Sequence, residues 1–225
     1  MKRITVLLAE DHEIVREGLR KLLETERDLQ VVGEAATGRQ AVALTKKLHP
    51  DVVVMDIAMP LLNGLEATRQ IRQAFPDAKV LILSAHSDGA YVEEVMALGA
   101  VGYLIKQTSS HFLSEAIRAV HKGNTFFSPS IAKHLHNHYA TSPDRAGLVK
   151  KKGEGLSSRE AEVLQLIAEG QANKQVAAEL GISVKTVEKH RQRLMEKLNI
   201  HDTAGLTRHA IAAGIIESSV QLTIV

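Results

Sequence analysis

Short runs of β-branched and aliphatic residues alternate, through the first half of the chain, with stretches whose apolar positions return at helical spacing. Ile4-Thr5-Val6-Leu7-Leu8-Ala9, Val52-Val53-Val54-Met55, Val80-Leu81-Ile82-Leu83 and Tyr103-Leu104-Ile105 are the clearest runs. The pattern predicts strands at 4–9, 30–35, 51–55, 79–84 and 101–105, and helices at about 13–25, 38–48, 64–74, 88–98 and 109–121. Strand and helix alternating five times imply a parallel sheet with helices on both faces, an α/β doubly wound five-stranded fold. The near-continuous apolar runs at 51–55 and 80–83 fit strands buried on both sides. Pro50 and Pro76 stand just before strands, and Gly38, Gly64 and Gly99 at element ends, where turns need them.

The pattern changes after residue 128. Ser128-Pro129-Ser130 suits the start of a short helix carrying Ile131, Leu135 and Tyr139. Ala140 to Gly155 is polar and reads as a linker. Its run Lys150-Lys151-Lys152 fits a solvated spacer, with a brush against DNA phosphates as the alternative. The remainder is helical. Ser157-Ser158-Arg159-Glu160 is a capping box that opens a helix to about Glu169. A second helix spans Asn173 to Leu180 and is stopped by Gly181; Ser183 caps a third to Leu198, and a fourth runs from about Thr203 to Ala213. Helix, short Gly-containing turn, helix is a helix-turn-helix pattern inside an all-α four-helix domain. The expected organisation is a first domain at 1–122, a linker with a short helix at 123–154, and a helical domain at 155–218.

Composition narrows this picture in three ways. At 225 residues, 44% apolar and 24% charged, the chain is long enough for two small cores. It has no Cys, which rules out a disulfide framework and thiolate chemistry. No apolar run approaches the ~18–20 residues of a membrane span, and Met1-Lys2-Arg3 leads directly into a strand, so a cytoplasmic protein with no membrane contact is expected. The net charge of +2 is unevenly placed. Residues 1–128 hold 15 Lys and Arg against 16 Asp and Glu, whereas 129–225 hold 13 against 10. A mildly basic second half is compatible with nucleic acid without establishing it.

The candidate chemistry lies at the strand ends. Glu10-Asp11 closes the first of these runs, Asp56 the second, Ser84 the third and Lys106 the fourth. In an open parallel sheet, residues at the carboxyl ends of strands converge on one crevice. Crowded carboxylates call for a cation among them, and hard oxygen donors suit Mg²⁺. A carboxylate can also act as a nucleophile and form an aspartyl-phosphate. Each residue also has an ordinary structural reading: helix caps for the acids, a turn for Ser84, an exposed lysine for Lys106, a core aromatic for Tyr103.

Taken in order, these motifs resemble a known family. Glu10-Asp11, Asp56 followed by Met59-Pro60 and Gly64, Ser84-Ala85, and Gly102-Tyr103 before Lys106 resemble the flavodoxin-like receiver domain of a two-component response regulator. Leu156 to Glu160, Val163-Leu164, Ile167 to Gly170, Asn173-Lys174, Thr186 to His190 and Lys197-Leu198 resemble the LuxR-type helix-turn-helix. Together they are similar to the NarL/FixJ class. That resemblance implies Asp56 as phosphoacceptor, and Asp11, Asp56 and the Ala58 carbonyl as Mg²⁺ ligands, with Glu10 holding a metal-bound water. It implies Lys106 and Ser84 as partners of the phosphoryl oxygens and Tyr103 as a switch aromatic. Gln107 stands where many receivers carry Pro, and Ala58 and His86 flank the path of an attacking water, which leaves the dephosphorylation rate open. His86 reads more simply as a loop histidine.

On the helical side, the second helix of such a motif enters the major groove. Lys185, Glu188, Lys189 and Gln192 fall on one face and have the chemistry to read base edges. Lys174, Thr186, Arg191 and Arg193 are candidates for phosphate contacts. His190 reads as packing. The resemblance implies a DNA-binding transcription regulator that is not an enzyme beyond its own phosphorylation and dephosphorylation. Its partners would be a sensor histidine kinase, double-stranded promoter DNA and a second copy in a homodimer built partly by the last helix, with RNA polymerase an open further contact. A receiver acting only by protein contact is the competing class; an enzymatic output finds no second constellation after residue 128.

Overall fold

The computed structural model describes residues 3–85, 92, 95–133 and 156–216. The chain separates into two compact units, Met1–Lys151 and Lys152–Val225, and each is taken by itself. His86, Leu135, Tyr139 and the lysine run at 150–152 lie outside the described residues.

In the first unit the strands are β1 (Ile4–Ala9), β2 (Leu29–Ala35), β3 (Val52–Asp56), β4 (Val80–Ser84), β5 (Gly102–Ile105) and β6 (Phe126–Phe127). They lie in the order β2-β1-β3-β4-β5-β6, and every neighbouring pair is parallel. The helices are α1 (Glu13–Glu24), α2 (Gly38–Leu48), α3 (Gly64–Ala74) and α4 (Ser109–His121), with further helical residues at 92, 95–97 and 129–133. The five expected strands and four of the expected helices form with ends within a residue or so of the pattern. The sheet is nonetheless six-stranded: Phe126-Phe127 adds to the free edge of β5, a strand too short to show a period in sequence.

Alternation along the strands sorts the core onto two faces. Leu7, Ala9, Val53, Met55, Ile82, Tyr103 and Ile105 pack with Ala41 of α2, and with Ala67 and Ile71 of α3. Val6, Leu8, Val52, Val54, Leu81, Leu83 and Leu104 pack with Leu19 and Leu23 of α1 and Leu113, Ile117 and Val120 of α4. Each such side chain contributes about 1.5–3 kcal/mol on burial, which is why the central strands β3 and β4 hold no polar residue before their last position. Chain direction reverses sides at β1, whose two neighbours are β2 and β3, so the crevice beyond β1 and β3 is the switch point of the sheet.

The second unit holds α5 (Ser158–Ala168), α6 (Asn173–Leu180), α7 (Val184–Leu198) and α8 (Thr203–Ala212). Val163, Leu164, Leu166, Ile167, Val176, Leu180, Val187, Leu194, Leu206 and Ala210 form its buried interior. Local chemistry sets the helix starts. Ser157 and Glu160 form the reciprocal capping box, Ser183 Oγ accepts from Thr186 N at 3.1 Å, and Asp202 Oδ1 accepts from Gly205 N at 2.8 Å. Gly181 ends α6 with φ +64°, a left-handed conformation that a Cβ disfavours, and this turns the chain from α6 into α7.

Candidate functional site

Glu10, Asp56 and Lys106, far apart in sequence, meet where β1, β3 and β5 end. Lys106 Nζ lies 3.0 Å from Asp56 Oδ1, 3.0 Å from Glu10 Oε2 and 3.2 Å from Glu10 Oε1. Glu10 and Asp56 are each only 1% exposed. Asp56 Oδ1 also accepts from the backbone N–H of Ile57 at 2.8 Å, which fixes the carboxylate at the head of the following loop. That loop is closed tightly: Gly64 N donates to Ile57 O at 2.8 Å, and a Cβ on Gly64 would collide with the Asp56 carbonyl oxygen. Glycine at 64 is therefore a requirement of close backbone approach.

Charge is strained here. Burial, and then the neighbouring Glu10 charge, push the Asp56 carboxyl up to about 7 against the opposing pull of Lys106. Burial also works against the charge on Lys106, but Asp56 and Glu10 outweigh it and hold the ammonium above its ordinary value. Asp56 Oδ2 is buried and accepts no hydrogen bond, while the buried Glu10 Oε2 and Asp11 Oδ1 have only the charged contacts of Lys106 and His12. Anionic oxygens so incompletely satisfied are costly to bury, and they are the donor set a hard divalent cation prefers. The residues present fit such an ion.

Asp11 stands on the outer side of the pair. His12 Nδ1 lies 2.9 Å from Asp11 Oδ1 and 3.1 Å from Glu10 Oε1, and the Asp11 charge, ahead of the Glu10 contacts, raises the imidazole pKa against burial. Ligand atoms of Glu10, Asp11 and His12 all fall within 4.8 Å of one another. Sequence reasoning passed over His12. Its only signal is its place directly after the acidic pair, and at the start of α1 its side chain makes no cap hydrogen bond.

Ser84 ends β4, is 1% exposed, and pairs in register with Ile105, one residue before Lys106. Tyr103, fully buried, lies in the core face that holds Met55 and Ile82. Ala58 is half-buried in the loop beyond Asp56.

In the helical unit, Lys185, Glu188, Lys189, Gln192 and Arg193 are all exposed along α7, opposite the buried Val187 and Leu194. Gln192 Nε2 donates to Glu196 Oε1 at 3.0 Å. Lys174 is exposed on α6, and Thr186 is half-buried, its Oγ1 2.8 Å from Ser183 Oγ. Arg191 departs from this picture: Nη1 donates to Asn173 Oδ1 at 3.2 Å and Nη2 to Thr203 Oγ1 at 2.7 Å. It braces α7 against the starts of α6 and α8. His190 is half-buried with a buried Nδ1 that makes no hydrogen bond, which fits packing better than base contact.

Comparison with known proteins covers both units. Residues 6–118 match the response regulator receiver domain, and residues 154–210 match the bacterial regulatory proteins of the luxR family. The chain is 35% identical to the transcriptional regulatory protein DegU of Brevibacillus brevis, over 96% of each chain. It is 38% identical to the response regulator UvrY of Escherichia coli K12, covering 94% of this chain and 95% of that one. Among solved structures, RcsB of Salmonella enterica serovar Typhimurium, bound to the rprA promoter in the presence of the phosphomimetic BeF3⁻, is 28% identical. It matches with a TM-score of 0.58 over 92% of this chain and 98% of that one.

Proposed function

This chain belongs to the NarL/FixJ-type response regulators, which join a receiver domain to a LuxR-type helix-turn-helix, and on that premise we propose that phosphorylation of Asp56 controls its binding to promoter DNA. The observation that carries the reading is the Lys106 ammonium held 3.0 Å from both Asp56 and Glu10 at the switch point of the sheet, beside a buried Asp56 oxygen that accepts no hydrogen bond.

An Asp56 carboxylate oxygen attacks the phosphorus of a kinase phosphohistidine. An O–P bond forms, the P–N bond breaks, and the departing imidazole keeps the electron pair and takes up a proton from solvent. Phosphoryl transfer needs little covalent help, so the residues act by position and charge. Lys106 neutralises an oxygen of the transferred group, Ser84 donates its hydroxyl to another, and Glu10 and Asp11 complete the anionic cradle. Asp11, Asp56 and the Ala58 carbonyl would hold Mg²⁺, with Glu10 assisting through a water, and the ion would supply neutralisation of the charge that gathers on the phosphoryl oxygens. Tyr103 relays the change at Ser84 to the outer face of the sheet.

Lys185, Glu188, Lys189 and Gln192 read base edges in the major groove, and Lys174, Thr186 and Arg193 meet phosphates. Arg191 positions the helix with two of its donors and offers the rest to the backbone. The protein works in the cytoplasm as a homodimer on paired half-sites, answering a histidine kinase. Incubating the full chain with acetyl phosphate and Mg²⁺ tests this. Acid-labile labelling is expected for the wild type and lost in Asp56→Asn; undiminished labelling of the variant would overturn the assignment.

A further inference from the structure

β5 carries the Lys106 end of the site, and its outer edge is occupied by chain from beyond the matched receiver segment, which ends at residue 118. Gly102 pairs with Phe126 and Tyr103 with Phe127. Past β6 the pairing continues through a side chain. Ser128 N donates to Tyr103 O at 3.0 Å, and Ser128 Oγ accepts from the backbone N–H of Ile105 at 2.9 Å. The hydroxyl takes the place of the next carbonyl in a parallel ladder, so β5 stays paired to its last residue although β6 has only two. Ser128 is fully buried, and Ile131, 1% exposed, packs in the same core face as Tyr103 and Ile105.

Ile105 directly precedes Lys106, whose half-buried ammonium must reach two carboxylates at once. We infer that Ser128 is a positioning residue for Lys106, holding the end of β5 so that the ammonium stands where the transferred phosphoryl group develops charge. The inference rests on the reading of Asp56 and Lys106 given above. Removing the hydroxyl takes this acceptor from a buried N–H and lets the strand end shift. An error well under an ångström in a charged group is enough to slow a reaction that depends on placement. Threonine keeps the oxygen; alanine loses it; cysteine keeps the size with a much weaker acceptor.

The full chain is phosphorylated with acetyl phosphate and Mg²⁺, and the labelling rate is followed against donor concentration for the wild type, Ser128→Ala, Ser128→Cys, Ser128→Thr, Lys106→Ala and the double variant Lys106→Ala/Ser128→Ala. Ser128→Ala is expected to lower the saturating rate roughly tenfold with a much smaller change in KM, because the lost interaction acts mainly in the transition state. Ser128→Thr should recover most of that rate. In the Lys106→Ala background, adding Ser128→Ala should change the rate by less than about twofold, since the residue through which it acts is gone. Should Ser128→Ala not fold, Ser128→Cys carries the same comparison. A full tenfold loss that persists without Lys106, or a folded Ser128→Ala that labels like the wild type, overturns the inference while leaving the site reading intact. A Lys106→Ala chain that labels at the wild-type rate overturns both.

Discussion

Asp56 carries a charge that its surroundings oppose. Burial and the Glu10 carboxylate raise its pKa to about 7 from an ordinary 3.8, so between those two pH values, without a bound cation, the folded receiver holds a proton that the unfolded chain releases. The sign follows from linkage. A carboxyl raised on folding contributes its stability fully at pH below its ordinary value and loses it as pH rises through about 7. Asp56→Asn removes that penalty. The variant should therefore unfold at higher temperature than the wild type at pH 8, by about 5 °C or more for the receiver unit, with the gap narrowing at pH 5. Millimolar Mg²⁺ should close the gap from the other side, raising the wild-type transition and leaving Asp56→Asn nearly unmoved. Thermal unfolding at both pH values, with and without MgCl₂, checks this; a gap that widens on acidification would contradict the assignment of the raised group.

At the scale of elements, helix starts and strand edges decide how firmly the working residues are held. The capping box of α5 does more than satisfy its own first turn. Glu160 accepts from Ser157 N at 2.8 Å and lies 2.6 Å from Lys197 Nζ near the end of α7. Burial opposes its charge, but the Lys197 and Ser157 hydrogen bonds outweigh it and keep the carboxyl below the ordinary glutamate value. A depressed carboxyl lends stability at pH above that ordinary value and withdraws it as pH falls through the lowered one. Glu160→Gln should cost the helical unit about 1–3 kcal/mol at pH 7 and flatten its loss of stability between about pH 5 and pH 3. Urea unfolding of the full chain, read by hydrogen exchange at amides of α5 and α7, measures both; an unchanged acid slope in the variant would assign the effect elsewhere. Helix α7 is thus pinned near its end by Glu160 and near its middle by Arg191.

The whole molecule joins two units with separate interiors. The receiver interior is a sheet sandwiched between helices; the other is small, built by four helices of 8 to 15 residues. A lone helix-turn-helix reads one half-site, so the proposed control by phosphorylation would work through association. Acetyl phosphate and Mg²⁺ should convert the full chain from a monomer to a concentration-dependent dimer in sedimentation velocity. The same treatment should tighten binding to a two-half-site duplex by roughly tenfold or more, the range of an ordinary coupling energy. Asp56→Asn should show neither change. Association that is identical in treated wild type and variant would remove dimerisation from the mechanism.

Much of this was legible before any tertiary contact, because it depends on local periodicity. Strand and helix positions, the capping box at Ser157, the N-cap at Ser183 and the exposed row on α7 follow from residue spacing, which backbone geometry converts directly into faces and ends. The gathering of Glu10, Asp56 and Lys106 was legible for a topological reason, since a parallel sheet sends all its carboxyl ends to one side. Tertiary structure alone decided the rest. His12 joins the acidic pair through side-chain geometry rather than through a period. Arg191 turns inward because Asn173 and Thr203, 18 and 12 residues away in sequence, supply oxygens that a phosphate would otherwise supply. Phe126, Phe127 and Ser128 become part of the sheet only because β5 offers an open edge and Ile105 an N–H beyond the reach of a two-residue strand. A segment that short carries no repeating pattern, and its structure is set by the partner it finds.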